Sequence, residues 1–330
     1  MDTILVTGGA GFIGSHLCER FVNVGNRVVC FDNFDDYYSP DIKWSNIADL
    51  CNEPNFTMIQ GDILDRVKLK ELFARFEFTK VVHLAAKVGV RPSLQDPARY
   101  ADVNVRGTIN VLEECVRYPS ISKFLFASSS SVYGNNTRLP FSETESVGEP
   151  ISPYAATKRS GELLCYTYHS LYNIPIVCCR FFTVYGPRQR PDMAIHKFVR
   201  SILLEEEIVL FGNGSTARDY TYIDDIVNGI ARILDAEYRY DIVNLGESTI
   251  VSLHELVACI EQALGKKATI RYIEKAPSDV NITFADITKA KMKYGYDPKC
   301  SVEEGVERFV KWYQDTVART MQYVWNHRLL

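Results

Sequence analysis

Residues 3–14 read Thr3-Ile4-Leu5-Val6-Thr7-Gly8-Gly9-Ala10-Gly11-Phe12-Ile13-Gly14, and an amphipathic run follows from Ser15 to Val24. An apolar strand, a Gly-rich turn and a helix in that order predict a place for a pyrophosphate. The turn exposes backbone N–H groups, and the helix start adds its positive dipole end. Gly8 permits the tight turn, Gly11 lets the backbone approach the phosphates, and Gly14 lets the helix pack close to the strand. The spacing is G-x-x-G-x-x-G, and the flanking strand and helix give it its meaning.

Outward from this turn, Arg27 to Phe31 forms a second strand ending at Asp32, 18 residues beyond Gly14. A carboxylate there can accept both ribose hydroxyls of an adenosine and would repel a 2′-phosphate. Asn33 and Phe34 follow without an arginine, so the pattern predicts NAD rather than NADP.

Strand and helix then alternate. Strands are expected at Phe56–Gln60, Lys80–Leu84, Lys123–Ala127 and Pro175–Arg180, with helices at Asp65–Phe76, Pro97–Val116 and Ser152–Tyr172. This rhythm predicts a parallel sheet with helices on both faces. Ligands in such folds lie beyond the carboxyl ends of the strands. Gly61-Asp62-Ile63-Leu64-Asp65 sits at one such end. Asp62 is placed either to meet the adenine edge or to cap the helix that follows. Ala85-Ala86-Lys87 sits at another, where small residues leave room for a cofactor. Beyond Thr183 the rhythm changes to short strands and scattered helices. The expected fold is α/β: a Rossmann-type doubly wound parallel sheet over residues 1–182, with segments near 223–250 returning to it. Residues 183–330 form most of a smaller C-terminal α/β substrate-binding domain.

The totals are those of an ordinary globular chain: 330 residues, 46% hydrophobic, 24% charged, net charge −4. With pI about 5.9 and no basic block, nucleic acid is not an expected partner. No apolar run is long enough to span a bilayer, and Met1-Asp2 leads straight into the first strand, so neither a membrane nor a secretory leader is expected. Nine cysteines, an odd number without a C-x-x-C, read as free thiols of a reducing cytoplasm. Six scattered histidines with no pair at ligand spacing give no metal site.

The chemistry is carried by Tyr154-Ala155-Ala156-Thr157-Lys158 together with Ser128-Ser129-Ser130-Ser131-Val132-Tyr133-Gly134. Residues four apart share a helix face. A free Tyr, with a pKa of about 10, is a poor base at neutral pH. The Lys158 ammonium is expected to stabilise its phenolate and lower that value. A serine hydroxyl from the other segment can bond the same substrate oxygen. Three such groups can move a proton at an alcohol while a hydride leaves the carbon.

These segments, with His83-Leu84-Ala85-Ala86 and Arg180 to Pro187, resemble the extended short-chain dehydrogenase/reductase family over nearly the whole chain. Members are nucleotide-sugar epimerases, dehydratases and decarboxylases that keep NAD bound. The resemblance implies Ser129, Tyr154 and Lys158 as the catalytic trio. It implies a cofactor set of Gly8, Gly11, Phe12, Ile13, Gly14, Asp32, Asn33, Asp62, Ile63, Leu84, Ala85, Ala86, Lys87 and Asn104, joined by Tyr154 and Lys158. The implied substrate set is Arg91, Ser129, Ser130, Ser131, Tyr154, Thr183, Arg190, Val209, Phe211, Arg218 and Asp279, with Arg218 matching the family's pyrophosphate-binding arginine. A second arginine that the family often carries near Pro277-Ser278-Asp279 is absent here. By analogy the helices at Pro97–Val116 and Ser152–Tyr172 pair in a homodimer.

Dehydratases of this family carry Thr-Asp-Glu where this chain has Ser129-Ser130-Ser131, and decarboxylases usually carry Glu at Ser131. Serine is no base and offers no acid proton at neutral pH, which leaves 4-epimerisation. Neutral-sugar epimerases generally have Asn at Thr183. The Arg180 to Ala194 and Val88 to Ser93 segments look most like UDP-glucuronate 4-epimerases, in which Thr183 with Arg190 or Arg91 would meet the C6 carboxylate. The alternatives are a UDP-glucose or UDP-N-acetylglucosamine 4-epimerase, then a UDP-glucuronate decarboxylase, and a non-catalytic NAD-binding regulator.

Overall fold

The computed structural model describes residues 1–274, 280 and 282–327. Its strands are β1 (Thr3–Thr7), β2 (Arg27–Asp32), β3 (Phe56–Gln60), β4 (Lys80–His83), β5 (Lys123–Ser129), β6 (Ile176–Phe181), β7 (Thr183–Tyr185), β8 (Ile208–Phe211), β9 (Ala217–Arg218), β10 (Tyr220–Tyr222), β11 (Tyr240–Leu245), β12 (Val251–Ser252) and β13 (Ile270–Ile273). Its α-helices are α1 (Phe12–Asn23), α2 (Pro40–Ile47), α3 (Arg66–Arg75), α4 (Val90–Gln95), α5 (Pro97–Ala101), α6 (Gly107–Arg117), α7 (Pro153–Tyr172), α8 (Ala194–Leu203), α9 (Ile223–Asp235), α10 (Leu253–Leu264), α11 (Thr288–Tyr294) and α12 (Val302–His327).

Seven strands form one sheet in the order β11-β6-β5-β4-β1-β2-β3, with parallel pairing throughout. The Rossmann-type doubly wound sheet expected from the alternation is therefore present. Its central strands are buried on both faces, as covered parallel sheets require. Strand order reverses between β1 and β4, and a crevice opens at such a switch point. The chain leaves the sheet after β6 and returns through β11, which pairs with β6. Between them lie β7–β10, whose small sheets pair β7 with β10, β9 with β12 and β8 with β13.

Several local expectations are corrected. The helix expected over Pro97–Val116 is broken into α5, one π-helical turn at Asp102–Arg106, and α6. A π turn inserts an extra residue that periodicity alone does not mark. Asp62 does not cap the following helix; Asp65 does, accepting from the Lys68 amide at 3.0 Å. The last helix extends well past Val317, to His327. Among the described residues, no helix is long and apolar enough to cross a membrane.

Candidate active site

A cavity of about 370 Å³ runs along the switch point, and a second of about 220 Å³ adjoins it, Thr183 and Met193 lining both. The larger is lined at one end by Gly8, Gly11, Phe12, Ile13 and Gly14, with Asp32, Asn33, Asp62 and Ile63 beside them. Leu84, Ala85, Ala86 and Lys87 form its middle. Ser129, Ser130, Ser131, Tyr154 and Lys158 line the other end, with Thr183 and Arg190.

The Gly-rich turn is built for close approach. Gly8 has φ +71°, and a Cβ there would lie 2.8 Å from the Ala85 amide nitrogen. A Cβ on Gly14 would lie 2.2 Å from the Gly8 carbonyl oxygen. Both contacts are with backbone, which cannot move aside cheaply. Gly11 caps α1 without any side-chain hydrogen bond, so the first-turn amides of a 12-residue helix are left for an anion. At the end of β2, Asp32 accepts from the Ala10 amide at 3.1 Å and the Phe34 amide at 2.8 Å. Each carboxylate oxygen keeps a lone pair for a ribose hydroxyl. Burial pushes the Asp32 carboxyl up, and those two amides and the Lys43 charge oppose it. A bare turn, an uncapped helix and a strand-end acid at one cavity wall fit a dinucleotide such as NAD.

At the other end, Ser152 caps α7 by accepting from the Ala155 amide at 3.1 Å, and Pro153 starts the helix. Tyr154 and Lys158 follow one turn apart. Lys158 donates to the Ala127 carbonyl at 2.7 Å, and its Nζ is 6.0 Å from the Tyr154 ring centre. Burial lowers the Lys158 ammonium to about 8. Burial also raises the Tyr154 phenol, against the pull of a hydrogen bond to Ser129 and the charge of Arg190. The phenol therefore stands above its ordinary value rather than below it as expected, because burial outweighs the groups that oppose it, and the Lys158 ammonium is bonded to the strand carbonyl. Ser129 donates to the Ser131 hydroxyl at 3.1 Å and accepts from the Ser131 amide at 3.2 Å. The carboxylates lining this cavity, Asp32, Asp35 and Asp62, all belong to the β2 and β3 end, and none stands beside the serines.

A buried polar cluster fixes the strand that carries the serines. Glu162 on α7 accepts from Arg180 at 2.8 and 2.9 Å and from the Ser128 hydroxyl at 2.6 Å. Arg180 also donates to the Tyr133 hydroxyl at 3.0 Å. The Arg180 pairing outweighs burial and holds the Glu162 carboxyl down.

The smaller cavity is lined by Arg91, Phe211 and Arg218, with Gln189 and Tyr220. The Arg91 guanidinium lies 3.7 Å from the Phe211 ring centre, a cation–π contact. Arg218 donates to the Ala217 and Val280 carbonyls, each at 2.8 Å. Arg190 thus stands in the same cavity as Tyr154 and the serines, whereas Arg91 lines the neighbouring one.

Two expected site residues, Asn104 and Val209, fall elsewhere. Asn104 lines neither cavity. Its Oδ1 accepts from the Lys87 amide at 2.7 Å, and its Nδ2 donates to the Lys87 carbonyl and the Thr157 hydroxyl, both at 2.9 Å. The π turn aims it at the backbone behind the cavity, joining the β4 strand end to α7. Val209 also lines neither, because its strand is held against β13. Asp279 lies outside the described residues. Lys43 and Asp35 line the larger cavity and were not in the expected set. The Ser39-Pro40 start of α2, a cap followed by Pro at the first helical position, was the available signal.

Comparison with known proteins agrees with this construction. The GDP-mannose 4,6 dehydratase family model matches residues 5–309. A UDP-glucuronate 4-epimerase of Thermodesulfobacterium geofontis is 42% identical over 318 residues, covering 96% of this chain and 98% of that protein. The crystal structure of the Bacillus cereus UDP-glucuronic acid 4-epimerase in complex with UDP-glucuronic acid and NAD superposes with TM-score 0.90 at 38% identity, covering 95% of this chain and 99% of that one. A UDP-glucose 4-epimerase of Thermotoga maritima with UDP-glucose gives TM-score 0.88 at 32% identity, covering 96% and 99%. The chain belongs to the GDP-mannose 4,6 dehydratase family, within the extended short-chain dehydrogenases/reductases.

Proposed function

We propose that this family member is an NAD-dependent epimerase that inverts C4 of a UDP-sugar, with UDP-glucuronate and UDP-galacturonate as its pair. The carrying observation is that Thr183 and Arg190 line the same cavity as Ser129 and Tyr154. A hydroxyl and a guanidinium are thereby supplied to a sugar carboxylate beside an alcohol-oxidising trio. The UDP-glucuronate 4-epimerases among its relatives support the same sugar.

NAD, when bound, supplies the hydride acceptor and donor at C4. Gly8, Gly11 and Gly14 with the α1 amides hold its pyrophosphate, and Asp32 holds its adenosine ribose. Tyr154 takes the proton of the sugar 4-hydroxyl as C4 is oxidised and returns it after the sugar has turned its other face. Ser129 holds the same oxygen. Lys158, anchored on the Ala127 carbonyl, places a positive charge one helix turn from the phenol. Ser130 and Ser131 offer hydroxyls to the sugar and no acid for a second step, so dehydration lacks its proton donor. Arg218, with Arg91 and Phe211, receives the UDP in the adjoining cavity.

The 4-keto uronic acid formed on the way is a β-keto acid and loses CO2 readily once its carboxylate aligns with the ketone. Thr183 and Arg190 hold the carboxylate out of that alignment. Residues 1–182, with the return segment near 223–250, form the cofactor domain, and 183–330 most of the nucleotide-sugar domain. A second copy packs on α7, where Leu163 and Tyr166, three residues apart on one face, are 52% and 55% exposed. A cytoplasmic setting is the compartment this reading assumes, and nine free thiols, seven of them buried, are compatible with a reducing one. Product analysis after incubation with UDP-glucuronate tests the reading.

A further inference from the structure

Three walls of the larger cavity meet at the Tyr37 side chain, which lines it with Lys87, Gly89 and Arg190. Its own loop follows β2 and is built from short turns. Asp35 Oδ1 accepts from the Tyr37 amide at 3.1 Å, and Asn33 Oδ1 accepts from the Asp35 amide at 3.0 Å. Lys87, beyond the end of β4, pairs with Asp35 at 2.8 Å and lies 5.7 Å from the Tyr37 ring centre. Close by, Gly89 has φ +101°, and a Cβ there would stand 3.2 Å from the Tyr37 hydroxyl. From the substrate side, the Arg190 guanidinium lies 5.9 Å from the same ring, and the Tyr37 hydroxyl donates to Asp192 Oδ2 at 3.2 Å.

This last bond joins the loop after β2 to the loop after β7, between residues 155 positions apart. Both of its ends are fixed. Arg190 holds the two Asp192 oxygens, and that pairing outweighs burial and keeps the Asp192 carboxyl below its ordinary range. Burial, then the Asp192 charge, pushes the Tyr37 phenol up, so it keeps the proton it donates. The bond lies beside the catalytic end: Tyr100, edge-on to the Tyr154 ring at 6.3 Å, feels the charges of both Tyr37 and Asp192.

We infer that Tyr37 and Asp192 are positioning residues that latch the two loops across the cavity and hold the reduced cofactor in place while the sugar is a ketone. The need follows from the reaction. C4 gives up one hydride and later receives it back, so the sugar is stranded as a ketone if the reduced cofactor leaves between the two steps. A hydrogen bond to a charged acceptor strengthens closure without touching the reacting atoms. Arg190 ties the latch to the substrate, because the guanidinium that fixes Asp192 is the one proposed to receive the sugar carboxylate. The inference rests on the NAD-dependent epimerase reading above.

The test is a stopped-flow chase. The full chain loaded with NADH is mixed with excess NAD+, and the loss of bound-NADH fluorescence gives the release rate for wild type, Tyr37→Phe, Asp192→Ala and the double variant. Each single substitution is expected to speed release about tenfold or more. The double variant should release little faster than the quicker single variant, because both substitutions remove the same bond. During turnover of UDP-glucuronate, Tyr37→Phe should shed free NADH and lose activity, and added NAD+ should restore it. A side chain that merely supports the fold would lower Tm and leave the release rate alone. Wild-type release rates in both folded single variants, or increases that multiply in the double variant, would overturn the latch alone. A wild type that binds no NADH would overturn the cofactor reading and the latch with it.

Discussion

Arg190 meets Asp192 side-on, its Nε donating to Oδ1 and its Nη2 to Oδ2, both at 2.9 Å. The Tyr37 hydroxyl donates to the same carboxylate at 3.2 Å, from across the cavity. Burial works against the Arg190 charge and the Asp192 pairing more than restores it. The guanidinium is therefore held in one plane at the cavity wall before any substrate arrives, which lowers the ordering cost of binding.

Arg190→Ala would remove the proposed carboxylate clamp. A charge-assisted hydrogen bond contributes about 1.5–3 kcal/mol, so KM for UDP-glucuronate is expected to rise about tenfold or more. The share of decarboxylated 4-keto-pentose product should rise relative to epimer. NMR of the product mixture reads both, and an unchanged ratio at any residual activity contradicts the clamp.

Tyr154→Phe keeps the ring and would remove the proposed proton carrier. General acid–base groups contribute about 10²–10⁴-fold, and kcat should fall in that range. NAD affinity should change by no more than a few-fold. Retention of most of kcat would assign the proton transfer to another group.

Asn104 acts behind the cavity, so Asn104→Ala should cost stability as well as activity. Three hydrogen bonds are lost, and the Lys87 backbone and the Thr157 hydroxyl are left to find other partners. The expected loss is about 1–3 kcal/mol in urea unfolding. Unchanged stability would mean that the π turn holds itself.

Glu247 gives the fold a pH dependence of its own. Its Oε2 has no hydrogen-bond partner among the described residues. Burial, then Asp225 and Asp219, push its carboxyl from 4.5 up to about 8. Between those values the folded protein keeps a proton that the unfolded chain has released. Stability therefore falls as pH rises from about 4.5 to about 8 and then levels off. Glu247→Gln should raise Tm by about 2 °C or more above pH 8 and change it little near pH 5. An equal shift at both pH values would contradict the assignment.

The short-range parts of this molecule were legible in the sequence. The turn from Gly8 to Gly14, the strand-end Asp32 and the Tyr154–Lys158 turn each lie within one element and its flank. Local spacing states where they point, and they line one cavity. What was not legible depends on pairing between distant segments. Lys43 reaches the cavity only because Asn46 fastens α2 to Ala10. Val209 is held away from it by pairing with Arg271, 62 residues on. Asn104 turned inward because a π turn shifted the helix phase, which a count of apolar positions does not register. The direction of the Lys158 ammonium depends on the Ala127 carbonyl of β5, and the burial that raises the Tyr154 phenol comes from the packed fold; helix spacing states neither.

The most direct test is to incubate the purified chain with UDP-glucuronate, without added reductant, and follow the sugar signals by NMR. The account predicts UDP-galacturonate in equilibrium with the substrate, with no loss of CO2. UDP-xylose or a 4-keto-pentose as the main product would contradict it. So would inertness towards UDP-glucuronate with turnover of UDP-glucose, which would remove the role given to Thr183 and Arg190.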